Sequence, residues 1–93
     1  MHRSTSVVPL GRVSLKGIET ALRDFVEDTG QNPTQLGLTN ADFRIIDKAL
    51  NGITGSGKPC IVTNPVNGTE VTISPLATGV TSGNAALSGF GEE

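Results

Sequence analysis

An α+β module is the fold class the sequence predicts: two amphipathic helices packed on a β-hairpin or small antiparallel sheet, with extended arms at both ends. Three observations predict it. Apolar residues recur at three- and four-residue spacings in two stretches, each bounded by its own cap and stop residues. Two runs with apolar residues at alternate positions flank Asn67-Gly68, a strong signal for a hairpin turn. Both chain ends hold only scattered apolar residues among Gly, Ser, Thr and Pro.

Residues 1–13 read as an N-terminal arm. Val7, Val8, Leu10 and Val13 are apolar there, but Pro9 and Gly11 interrupt any helix. The first helix follows over 14–30, with Ser14 as N-cap. Leu15, Ile18, Leu22, Phe25 and Val26 share its apolar face; Lys16, Glu19, Arg23, Asp24, Glu27 and Asp28 hold the other. Glu19 and Arg23 are placed for an i,i+4 pair. Gly30 is the stop, and Asn32-Pro33 reinforces it.

A short connection leads to Leu38, with room for one turn of helix around Pro33-Thr34-Gln35. The second helix begins at Thr39, where Asp42 stands in the Glu position of a capping box. Phe43, Ile46, Leu50 and Ile53 form its expected inward stripe, with Ile45 and Ala49 beside it, and Gly52 and Gly55 end it.

The hairpin pairs 60–66 with 69–74. A type I′ turn at Asn67-Gly68 sets Val66 against Thr69, Asn64 against Val71 and Val62 against Ile73. Val62, Val66, Val71 and Ile73 then share one side, and Thr63, Glu70, Thr72 and Ser74 the other. Pro65 cannot donate to a neighbour, which places the first strand of the hairpin at a sheet edge. Residues 75–93 read as a Gly/Ser-rich C-terminal arm with Leu76, Val80, Leu87 and Phe90 as sparse anchors. The expected organisation is thus arm (1–13), module (14–74) and arm (75–93). A module of about sixty residues is marginal in size, which favours further burial against an oligomer or partner.

The composition argues against several chemistries. Cys60 is the single cysteine and His2 the single histidine, which leaves no internal disulfide, no multi-cysteine zinc site and no Cys–His pair inside the module. Cys60 reads as a small buried hydrophobe. Trp and Tyr are absent, so no aromatic platform for stacked bases is expected. Glu19, Asp24, Glu27 and Asp28 cluster on the first helix at the spacing of a solvated face rather than of an acid/base pair or calcium site. Gly52-Ile53-Thr54-Gly55-Ser56-Gly57-Lys58-Pro59 matches a phosphate-binding P-loop until Pro59 takes the place of Ser or Thr. It also follows a helix and precedes a strand, the reverse of what that motif requires. A glycine-rich connector explains the same residues. No catalytic, cofactor-binding or metal-binding residue is therefore assigned, and no enzymatic activity is expected.

Charge is uneven along the chain. Arg3, Arg12 and Lys16 make the first sixteen residues basic, whereas the last thirty-five carry only Glu70, Glu92 and Glu93. That arm would give at most weak contact with nucleic acid. No apolar run reaches membrane-spanning length, and residues 1–10 lack the long apolar stretch of a signal peptide. Asn67-Gly68-Thr69, formally a glycosylation sequon, is read as a turn.

Together these features point to a non-enzymatic structural or interaction protein within a multi-subunit assembly. A virion component, such as a capsid-associated, connector or tail protein of a bacteriophage, fits the small, cysteine-poor, Gly/Thr/Asn-rich profile, with virion or cytoplasm as its location. The expected partners are other protein subunits, held by Val7, Val8, Leu10, Val13, Leu76, Val80, Leu87 and Phe90 of the two arms. Two alternatives remain. Helix, turn, helix and hairpin is also the element order of a winged-helix DNA reader, although Asn40, Arg44, Asp47, Lys48 and Asn51 give its second helix a thin, partly acidic face. A cytosolic adaptor or regulator is the other.

Overall fold

Helix-forming and strand-forming segments alternate more finely than the sequence pattern suggests. The computed structural model describes residues 5–75 and 77–90. Its elements run β1 (Ser6–Pro9), α1 (Leu15–Thr29), β2 (Gln35–Gly37), α2 (Asn40–Asn51), β3 (Cys60–Thr63), β4 (Glu70–Ser74) and β5 (Asn84–Ser88). The five strands form one sheet in the order β1-β5-β2-β4-β3. The two helices pack on one face of it, so the fold is α+β.

Both helices follow their local chemistry. The Ser14 hydroxyl accepts the Gly17 N–H at 3.0 Å, and Gly30 closes α1 in the left-handed conformation, φ 74°. Ile18, Ala21, Leu22 and Phe25 are its buried face. Thr39 accepts the Asp42 N–H at 3.2 Å, and Gly52, φ 87°, ends α2. The inward stripe of α2 is narrower than expected. Ile46 is fully buried and Phe43 and Leu50 are half-buried, but Ile45 and Ile53 are exposed.

The sheet is mixed rather than purely antiparallel, because β2 pairs parallel to β4 and antiparallel to β5. Gln35–Gly37 is thus a strand, where a loop or helical turn was expected. Leu36 sits opposite both Ile73 and Leu87, and all three are buried. On the helix side Leu36, Cys60, Val62, Val71, Ile73, Ala85 and Leu87 join the helices in one core.

The hairpin forms with a different turn. Its register is Cys60↔Ile73, Ile61↔Thr72, Val62↔Val71 and Thr63↔Glu70, two residues out of step with the expected pairing. The cause is side-chain capture of backbone donors. Asn64 Oδ1 accepts the Val66 N–H at 2.8 Å and Asn67 Oδ1 accepts the Thr69 N–H at 2.9 Å. Those donors are then lost to the ladder, and Pro65 has none to offer. A shift of two keeps every side chain on its face. Val62, Val71 and Ile73 therefore stay inside, while Val66 is left on the surface. β3 lies at a sheet edge, as Pro65 implied.

The largest correction concerns the arms. Residues 6–9 and 84–88 are strands β1 and β5, paired antiparallel from Ser6↔Leu87 to Pro9↔Asn84. One sheet therefore runs through all three expected segments. The pairing gives the backbone groups of β1 that face β5 hydrogen-bond partners, and Leu10, Ala85 and Leu87 gain burial that scattered apolar residues in a free tail would lack.

Candidate interaction surfaces

The two aspartates of α2 are turned inward, and each holds a loop. The Asp42 carboxylate accepts the Ser82 hydroxyl at 2.9 Å and the Gly83 N–H at 2.8 Å. Gly83 in turn accepts the Leu10 N–H at 2.8 Å, which aligns the entry to β5 with the exit of β1. Asp47 organises the glycine-rich connector. Its carboxylate accepts the Asn51 amide at 2.8 Å, the Ser56 hydroxyl at 2.8 Å, and the N–H groups of Gly55 at 2.9 Å and Ser56 at 3.2 Å. The segment that resembles a P-loop thus wraps an anion that the chain itself supplies. The hydrogen bond from Asn51, then those from Ser56 and Gly55, outweigh desolvation and hold the Asp47 carboxyl at about 2, below its ordinary 3.8. Cys60 lies beside it, with the thiol 3.6 Å from Asp47 Oδ1. Burial first, and the Asp47 charge second, push that thiol above its ordinary value, the opposite of what activates a nucleophile.

With Asp42 and Asp47 internal, the charges that α2 exposes are Arg44 and Lys48. Beside them Ala41, Ile45 and Ala49 form a row at four-residue spacing, all exposed, and Ile53 continues that spacing beyond the helix end. Ile45 is 51% exposed and Ile53 60%. This is a basic-flanked apolar ridge. The sequence pattern missed it because Asp47 counted as a surface charge and Ile53 as core.

The opposite character appears at α1. A groove of about 510 Å³ lies between α1 and β1, with Val8, Pro9 and Phe25 as apolar walls and Asp24, Glu27 and Asp28 at its rim. Arg23 reaches Asp24 at 3.5 Å, but both side chains are more than half exposed, so the pair neutralises little. The last turn of α1 carries no basic residue, which sets these acids against the negative end of the helix dipole.

The residues expected to bind partners through free arms are distributed through this framework. Leu10 and Leu87 are core residues, and Val8, Val13 and Phe90 pack partly buried against the core. Phe90 stacks on Phe25 with ring centroids 5.6 Å apart. Val80 is half-buried in the β4–β5 loop, and Val7 is 52% exposed on the helix-free face of β1. Leu76 lies outside the described residues, as does Arg3 of the basic N-terminal segment. Arg12 and Lys16 are exposed. The short turn of the winged-helix alternative is replaced by β2, which separates the helices by a strand of the sheet.

Among the described residues no group of three His, Cys, Asp or Glu side chains is arranged to hold a metal ion, and no helix is long and apolar enough to cross a membrane. The chain matches no protein-family model, no curated protein and no solved structure.

Proposed function

We propose that this chain is a non-enzymatic interaction subunit of a larger protein assembly, and that the α2 ridge is the surface by which it is held. The observation that carries the reading is the exposure of Ile45 beside Arg44 and Lys48, on a helix whose other face builds the core, with Ile53 exposed just past the helix stop at Gly52. An exposed apolar row, here Ala41, Ile45 and Ala49, rimmed by charge, favours burial against another protein. The arms no longer support the reading, since their apolar residues are largely spent on this chain's own sheet. The compositional profile still favours a virion component as the setting.

Fractionation by sedimentation from the native source tests this. The chain is expected in a high-mass particle, and Ile45→Asp is expected to release it to the low-mass fractions while its circular dichroism stays that of the folded protein. Sedimentation of the unaltered chain as a free small protein overturns the reading, as does unchanged incorporation of Ile45→Asp.

A further inference from the structure

We infer that a second copy of this chain occupies the α1–β1 groove, inserting its α2 ridge there, so that copies associate head to tail. The inference rests on the interaction-subunit reading and names the partner.

Charge complementarity is the first argument. The ridge exposes Arg44 and Lys48 and no acid, because Asp42 and Asp47 are engaged inside the protein. Among the described residues the groove is lined by the acids Asp24, Glu27 and Asp28 and by no base, with Arg23 reaching Asp24 from beside it. Cations delivered to the last turn of α1 would also relieve the unfavourable placement of its acids.

Shape and chemistry agree with this. The groove is an open cleft of about 510 Å³ with apolar walls at Val8, Pro9 and Phe25. An amphipathic helix docking in a groove uses anchors at four-residue spacing, as Ala41, Ile45 and Ala49 of α2 provide.

Placement then decides which molecule fills the groove. α1 packs by β1 and α2 by β3, and these strands are the two opposite edges of the sheet. With neighbouring strands about 4.8 Å apart, the edges stand roughly 19 Å from each other. Ridge and groove of one molecule therefore cannot meet. Ridge of one copy to groove of the next is a heterologous contact, which leaves a free ridge at one end and a free groove at the other and propagates into rings or filaments.

The test uses analytical ultracentrifugation of the full chain and of two variants at exposed positions, Ile45→Asp and Glu27→Arg/Asp28→Arg, each checked for folding by circular dichroism. The unaltered chain is expected to show masses rising in steps of 9.6 kDa with concentration, and to associate less in high salt. Each variant alone is expected to associate at least about tenfold more weakly, the scale of losing an interface anchor. Mixed together, they should form a one-to-one dimer and stop there, since one retains its groove and the other its ridge. An unaltered chain that stays monomeric at all concentrations overturns the inference, as does a mixture that forms no dimer. Duplex DNA that binds in an Arg44→Glu-sensitive way to a monomeric chain would also overturn it. If the chain is monomeric alone yet its entry into a native particle still depends on Ile45, the subunit reading stands and only the identity of the partner fails.

Discussion

The two helices have similar amphipathic patterns but use their charges in different ways. In α1 every charged side chain, from Lys16 to Asp28, is exposed. In α2 the two aspartates are buried at 3% exposure each and bind loops that lie 40 and 8 residues further along the chain, leaving only cations outside. A carboxylate at the border of a helix's apolar face can therefore belong to the interior, provided that N–H and O–H donors converge on it. Net charge by segment misses this. The surface of α2 is basic although its sequence carries as many acids as bases.

Neighbouring side chains on α2 give the sharpest break of this comparison. Ile46→Ala empties a fully buried site and is expected to cost about 2–5 kcal/mol of unfolding free energy. Ile45→Ala, one residue earlier and half exposed, should change stability by no more than about 0.5 kcal/mol in the same urea titration. Equal losses would mean that the ridge is covered within the monomer.

A smaller effect separates the aspartates of the two helices. Asp42→Ala strands the Ser82 and Gly83 donors and loosens the junction of β1 with β5, at an expected cost of about 1–3 kcal/mol. Asp28→Ala, on the exposed rim of α1, should be neutral or slightly stabilising, since it removes a charge that opposes the helix dipole. Hydrogen exchange of Val8 and Leu87 amides should rise in the first variant and not in the second.

The narrowest effect is confined to acid. Asp47 has a carboxyl pKa lowered in the folded protein, so its contribution is complete above its ordinary 3.8 and is lost as pH falls toward about 2. Thermal unfolding of the unaltered chain should therefore weaken through that window. Asp47→Asn should be less stable at neutral pH and should show a flatter profile between pH 4 and 2. A parallel profile would mean that the Gly55–Ser56 cradle does not depend on the charge.

Much of this was legible beforehand for a physical reason. Ser14 and Gly30, and Thr39 and Gly52, act within a few residues of themselves, so both helices could be read from local pattern. The hairpin was legible as a hairpin, and its inward side chains follow the alternation of the sequence except at Val66. Its turn was not, because Asn64 and Asn67 compete with the ladder for backbone donors. β5 was hidden by its composition. Asn84–Ser88 is rich in alanine and shows no alternation, yet Ala85, Ala86 and Leu87 are all buried between β1 and β2. β1 carries a local signal of its own, since a short apolar run ending in proline suits an edge strand as well as an arm.

Residue spacing alone determined the α+β class and the helix bounds. Tertiary structure alone decided that residues at the two ends are strands, that β2 lies between the helices, and that Asp42 and Asp47 face inward. The division follows sequence distance. Caps and periodic stripes are settled within about one helical turn, whereas strand pairing and carboxylate burial depend on donors brought from up to about eighty residues away.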